Sequence, residues 1–258
     1  MPPLEAFMII LSLFMSWSRL GNKYKCPYKI GIFDISRAHF YGVARRRVFV
    51  ELVEEDKAHF GADKCGLLLK TMYGTQDASN IWQDDYTELL CSGGYRCGAS
   101  NAAVFHNEEE DGRCLVHGDD FVVLGSQEAV DKFEKLLASK YKYKKLANLG
   151  FSESDSKGAT FLNRVITLKD GKPRRLEVEA DSRHAEIIVA DLGLQNSRGI
   201  DAPAAKLSAE QQMIDSKSPL LERERCEKFR SLTMRGSYLA QDRIDLNEAS
   251  KNLARSMS

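Results

Sequence analysis

The 258-residue chain has no excess of charge of either sign, since 37 Lys and Arg are balanced by 37 Asp and Glu. A broad polyanion-binding surface is therefore not expected, and any contact with nucleic acid must come from local basic patches. There is no C-x-x-C pair. Cys26, Cys65, Cys91, Cys97, Cys114 and Cys226 are scattered, with no paired histidines nearby. That spacing argues against a zinc site and a disulfide scaffold, and suits reduced thiols inside a cell. The apolar run at residues 4–17 is too short to span a bilayer. It also carries Glu5 near its start and lacks a basic leader or a small-residue cleavage site. It reads as a buried helix beginning at Pro2 and Pro3 and stopping near Gly21. No internal repeat is visible. These absences leave a soluble intracellular protein, cytoplasmic or nuclear, with no membrane partner. A hydrophobic content of 43% supplies a core for one large domain or two small ones.

What is present centres on Arg113-Cys-Leu-Val-His-Gly-Asp-Asp-Phe-Val-Val-Leu-Gly125. Two apolar half-strands flank a Gly-Asp pair, the pattern of a tight hairpin. Its tip carries Asp119 and Asp120 side by side. Adjacent carboxylates repel, so a fixed pair of them suits a cation, and oxygen donors without thiols favour Mg²⁺ or Mn²⁺. A solvated acidic turn is the alternative, and it stays open on the hairpin alone. A second short apolar strand, starting at Lys29, ends at Asp34 and is followed by His39 and Phe40. Carboxylates brought from separate strands onto one edge are what a two-metal phosphoryl- or nucleotidyl-transfer site requires.

Several stretches carry local signals of their own. Arg45, Arg46 and Arg47 precede an expected strand at 48–53, and either touch a phosphate backbone or form a solvated loop. Ile81, Trp82, Tyr86, Leu89 and Leu90 form the inner face of a helix stopped at Gly93-Gly94, with Trp82 as core. Residues 102–125 read as a three-stranded meander, followed by a helix capped by Ser126 with Val130, Phe133, Leu136 and Leu137 inward. In the run 140–145 lysines and tyrosines alternate, so Lys142 and Lys144 share one side of a strand. Such a strand suits a sugar-phosphate backbone, or is an edge strand protected by lysine. A hairpin follows over 161–179, then a helix capped by Asp181 that ends at Gly193. A linker is expected over 200–223, and a capping-box-like start at Asp245 opens a last helix.

Residues 34–42 resemble the first catalytic motif of copia-type LTR-retrotransposon reverse transcriptases, and 117–120 resemble their Tyr-Val-Asp-Asp hairpin, with Gly118 for Val. Residues 65–82 are similar to the family run C-x-L-x-K-x-L-Y-G-L-K-Q-A-P-x-x-W. They match it at Lys70, Tyr73, Gly74, Ala78 and Trp82, while Asp77 and Ser79 replace Gln and Pro. Phe161, Leu162 and Asn163 stand where the family has Phe-Leu-Gly. Residues 229–245 resemble its connection segment, with Ile244 for Pro.

The resemblance implies an α+β polymerase palm over 1–160, a ferredoxin-like antiparallel sheet with helices on one face. A thumb-like hairpin and helix would occupy 161–199, with linker and connection helices over 200–258. It implies a piece of a Pol polyprotein in which fingers and RNase H come from elsewhere, and RNA-directed DNA polymerase activity on a primed RNA or DNA template with dNTPs. Asp34, Asp119 and Asp120 would be catalytic and would hold Mg²⁺ (or Mn²⁺) together with the backbone carbonyl of Ile35. His39, Phe40, Gln76 and Asp77 would meet the nucleotide, His39 standing where the family places the ring that excludes a ribose 2′-hydroxyl. Arg45, Arg46, Arg47, Lys70, Lys142, Lys144, Phe161, Leu162 and Asn163 would meet nucleic acid. The alternative is a non-catalytic remnant that keeps the fold with at most weak nucleic-acid binding.

Overall fold

A computed structural model describes residues 4–20, 27–199 and 219–257, with a few isolated positions between 208 and 217. The expected proline start, the stop near Gly21 and most of the expected 200–223 linker lie outside the described residues. The protein is α+β and forms two compact units. One comprises residues 1–159 and 167–176, and the other 160–166 and 177–258.

The first unit is built on β1 (Lys29–Ile35), β4 (Arg96–Cys97), β5 (Val104–Asn107), β6 (Gly112–His117), β7 (Asp120–Gly125) and β8 (Tyr143–Leu149). They make one sheet in the order β4-β5-β6-β7-β1-β8, every adjacent pair antiparallel. Helices α3 (Ala78–Ser92) and α4 (Gln127–Ala138) bury Trp82, Tyr86, Leu90, Val130, Phe133 and Leu137 in one cluster with Phe33, Ile35, Val116, Phe121 and Val123. The spacing of these positions is the helical stripe and strand alternation expected of an amphipathic layer. Each fully buried ring or aliphatic side chain contributes roughly 1.5–3 kcal/mol. The Ser126 hydroxyl caps α4 by accepting from Ala129 N at 3.2 Å, as its sequence position predicts.

The opposite sheet face is not open, as helices confined to one face would leave it. Ile30, Ile32, Leu115, Val122 and Leu124 are all buried there, and α1 (Leu4–Leu20) comes against β6. With both faces covered, β6 and β7 read as nearly continuous apolar runs. Phe7, Ile10, Leu11 and Phe14 are the buried stripe of α1.

The strand expected over 48–53 is shorter, β2 at Phe49–Glu51, and pairs with β3 (Cys65–Leu67) around a seven-residue helix, α2 (Glu54–Phe60). The acidic start Glu54, Glu55, Asp56 favours a helix N-terminus and diverts the chain from strand.

Strands β9 (Gly158–Phe161), β10 (Arg164–Lys169) and β11 (Arg175–Glu179) form a second sheet, in the order β11-β10-β9, and the division between units passes through these strands. The second unit holds α5 (Ser182–Asp191), α6 (Arg223–Leu239) and α7 (Asn247–Ala254). Asp181 caps α5 as expected, accepting from Arg183 N at 3.1 Å, and Gly193 follows with φ +66°. The capping box expected at Asp245 does not form. Asp245 lies inside a short 3-10 turn, takes Arg243 as its partner, and α7 begins two residues later with no side-chain cap.

A candidate carboxylate site on the central hairpin

The site lies where β1 and β7 come level. Residues Gly118 and Asp119 form the two-residue turn between β6 and β7, and His117 pairs with Asp120 across it. Gly118 takes φ +64°, and a Cβ built there would meet nothing within 4 Å. Glycine with positive φ at the first turn position is the two-residue hairpin geometry whose twist suits antiparallel strands.

Asp34 is the direct Cα partner of Asp120, and Lys144 on β8 is the partner of Asp34 on the other side. Directly opposed residues share a sheet face. One row therefore crosses four strands: Lys144, Asp34, Asp120, His117.

Two hydrogen bonds hold the turn itself. Trp82 Nε1 donates to the carbonyl of Gly118 at 2.9 Å, and Ile35 N donates to the carbonyl of Asp119 at 2.9 Å. Trp82 is thus core, as expected, but its polar edge also pins the acidic tip from below. The Ile35 side chain is buried in the core cluster.

The electrostatics follow from this packing. The carboxyl of Asp120 is pushed up to about 6, first by burial and then by the negative charges of Asp34 and Asp119. Burial likewise lowers the His117 imidazole below its ordinary range. The Tyr73 hydroxyl donates to Asp119 Oδ2 at 2.6 Å, and burial together with that carboxylate pushes it up to about 12.

Hard oxygen donors at one strand edge, one of them a carboxyl whose proton is held by burial and by its two acidic neighbours, fit Mg²⁺ or Mn²⁺ chemically. Among the described residues, however, no three His, Cys, Asp or Glu side chains are already grouped as a metal cluster. The Asp119 carboxylate is engaged by Tyr73 instead.

His39 and Phe40 sit on the 3-10 turn Ala38–Tyr41 just after β1. His39 stacks on Tyr73 with centroids 4.4 Å apart and planes 9° from parallel, and Phe40 meets the same ring edge-on at 5.8 Å. The backbone carbonyl of His39 accepts from the Thr71 hydroxyl. Gln76 is exposed in the turn before α3, and Asp77 is ion-paired with Arg46 at 3.3 Å. An acid that already has a cationic partner repels a nearby triphosphate less than a bare one would.

Of the expected nucleic-acid contacts, Arg45 pairs with Asp84 at 2.6 Å and Arg46 with Asp77, whereas Arg47 has no ion pair among the described residues. Lys70 Nζ donates to the carbonyl of Tyr41 at 2.8 Å. Lys144 is exposed on the edge strand and Lys142 just before it, while Tyr141 and Tyr143 face the core, the alternation expected, although the strand begins only at Tyr143. Phe161 is buried, and Leu162 and Asn163 are the turn between β9 and β10, with φ 50° and 60°. These three residues belong to the second unit, whereas the carboxylates belong to the first.

Sequence reasoning assigned no site role to Tyr73, the residue that most directly contacts a catalytic candidate. It lies 46 positions from Asp119, and no periodicity links the two. No protein-family model matches the chain, and no curated protein does. The site is defined by its own geometry, as a carboxylate-bearing strand edge on an antiparallel sheet of an α+β protein.

Proposed function

We propose that the first unit is a polymerase palm and that the chain derives its chemistry from RNA-directed DNA synthesis, as a reverse transcriptase of the copia type. The observation that carries this reading is the direct pairing of Asp34 with Asp120, one strand from a glycine turn that presents Asp119. Two acids held in register on adjacent strands cost stability unless something between them uses their charge.

In this reading Asp34, Asp119 and Asp120 would hold two divalent cations at the strand edge, with the Ile35 carbonyl as a further ligand. The bound cations would make the primer 3′-hydroxyl acidic and stabilise the charge that develops on the leaving pyrophosphate. The chain's own residues supply position. Trp82 and the main chain of Ile35 hold the tip. By the resemblance His39, stacked on Tyr73, would stand beside the sugar of an incoming nucleotide, and exposed Lys142 and Lys144 offer a phosphate backbone two cations along one edge.

The test is primer extension on poly(rA)/oligo(dT) with Mg²⁺ or Mn²⁺, beside Asp119→Asn and Asp120→Asn. Incorporation lost in both variants supports the polymerase. Its absence in folded wild-type protein with either cation removes it. A second reading, a remnant that keeps the fold without catalysis, is favoured by the engagement of Asp119 with Tyr73 and of Arg45 and Arg46 with Asp84 and Asp77.

A further inference from the structure

Tyr73 is 43% exposed, so burial in a core does not place it. What places it is the stack on His39 and the hydrogen bond to Asp119 Oδ2. The main chain just before it is anchored, with Thr71 N donating to the Gly42 carbonyl at 3.0 Å and the Thr71 hydroxyl bonded to His39. The main chain just after it leaves space beside the ring. Gly74 has φ +89° and open space around it, and Thr75 N closes a tight turn onto the Met72 carbonyl at 3.1 Å. A carboxylate oxygen that accepts a short hydrogen bond has a lone pair committed to it and is a poorer cation ligand in that direction.

From this geometry we infer that Tyr73 is a positioning residue that latches Asp119, so that divalent-cation binding at the hairpin and the Tyr73–Asp119 hydrogen bond are mutually exclusive states of one switch. The inference rests on the carboxylates being a cation site, as argued above. Because the ring of Tyr73 lies flat on His39, releasing the hydroxyl also uncovers the histidine face. Cation binding and access to His39 are then coupled. The latch needs no other chain and no covalent change, only rotation of an exposed ring beside a glycine.

The experiment uses the whole chain and reads binding rather than turnover. Free Mn²⁺ is titrated by EPR against wild type, Tyr73→Phe, Asp119→Asn and the double variant. Phenylalanine keeps the stack and removes only the hydroxyl. Tyr73→Phe is expected to bind Mn²⁺ about tenfold more tightly than wild type, near the lower end of what a hydrogen bond to a charged group is worth. In the Asp119→Asn background the Tyr73→Phe change should have no effect.

A second measurement needs no substitution in the protein observed. With 3-fluorotyrosine incorporated, the ¹⁹F resonance assigned to Tyr73 should shift on adding Mg²⁺. Equal Mn²⁺ affinity in wild type and Tyr73→Phe, or Mg²⁺ binding without a ¹⁹F shift, overturns the latch and leaves the cation site standing. No Mn²⁺ binding by any form, Tyr73→Phe included, overturns both.

Discussion

Asp34 and Asp120 are direct partners across β1 and β7, and their row continues to Lys144 on one side and His117 on the other. Like charges facing each other across an antiparallel pair are unfavourable. Here burial adds to that cost, and the Asp120 carboxyl is pushed up to about 6. The sheet around it is well packed on both faces, so the charge conflict is confined to the strand ends. That confinement makes it separable by mutation from the fold.

Asp120→Asn is expected to stabilise the protein in the absence of divalent cations. The ordinary aspartate value is 3.8 and the folded value is about 6. The folded state therefore holds its proton more tightly than the unfolded one. No penalty exists below the lower value, it grows as pH rises between the two, and it is complete above the higher. The neutral amide escapes it, for a gain of about 1 kcal/mol once solvent screening is allowed for, or about 2–4 °C in Tm. Thermal melts in EDTA at about pH 7.5 and about pH 4 check this, the gain appearing only at the higher pH. An Asn variant no more stable than wild type at the higher pH rejects the charge conflict.

The turn at Leu162 and Asn163 yields a second stabilising change. Both residues take positive φ, 50° and 60°, the geometry that favours Asn-Gly. A leucine there costs about 1–2 kcal/mol in backbone strain. Leu162→Asn combined with Asn163→Gly should therefore raise the unfolding free energy by about 1 kcal/mol. The Leu162 carbonyl that accepts from Arg164 Nη1 at 3.0 Å is main chain and survives the change. Urea unfolding measures it, and an unchanged midpoint rejects the assignment of strain.

The turn also shows what local sequence signals do and do not carry. Asn163 in place of a family glycine looks like a loss, yet asparagine is the residue that best tolerates the left-handed backbone after glycine. The two halves of the central hairpin, the helix after Ser126 and the inner face of α3 were legible, because period-2 and period-3.6 patterns and a cap each act over a few residues. The α2 helix was not, since seven residues with no buried side chain leave no apolar stripe to read. Nor was the covered second face, because α1 is distant in sequence from the strands it meets. Of the candidate site, Asp34, Asp119 and Asp120 were legible from strand ends and a glycine turn. The Tyr73 bond to Asp119, the Trp82 bond to Gly118 and the pairing of Arg46 with Asp77 were not, since each depends on the folded register.

Two glycines should respond very differently to alanine. At Gly118 nothing would touch the new methyl, so Gly118→Ala should cost about 1–2 kcal/mol from φ alone. At Gly150 a Cβ would collide with the Asp155 carboxylate. That carboxylate is ion-paired to Lys29 at 2.6 Å, with side chains 10% and 2% exposed. Burial works to raise the Asp155 carboxyl, but Lys29 and Ser152 hold it below its ordinary range. Its contribution is therefore present above the ordinary aspartate range and lost as pH falls through the depressed value. Displacing it should cost Gly150→Ala about 3 kcal/mol or more at neutral pH, and less in acid. Chemical denaturation of both variants at two pH values decides it. Equal costs at Gly118 and Gly150 would mean that the Lys29–Asp155 pair adjusts freely.

In the second unit the decisive pair is Arg164 and Asp242, joined at 2.9 Å with side chains only 3% and 4% exposed. Both Asp242 oxygens accept from Arg164 Nε, and the guanidinium carbon lies 5.3 Å from the centre of the Tyr238 ring. A buried pair of this kind contributes little net stability compared with apolar residues of the same volume, but removing one partner strands a charge in a dry site. Asp242→Asn should therefore cost about 3–5 kcal/mol, because the guanidinium stays charged at any working pH. Arg164→Met combined with Asp242→Leu should recover most of that loss, since it removes both charges and keeps the volume. Arg164→Met alone should fall as far as Asp242→Asn, leaving the carboxylate to take up a proton. Urea melts of wild type and the three variants form the test. A double variant as unstable as the singles would show that the pair specifies geometry which apolar side chains cannot replace. A mild Asp242→Asn would show that water reaches the pair after all.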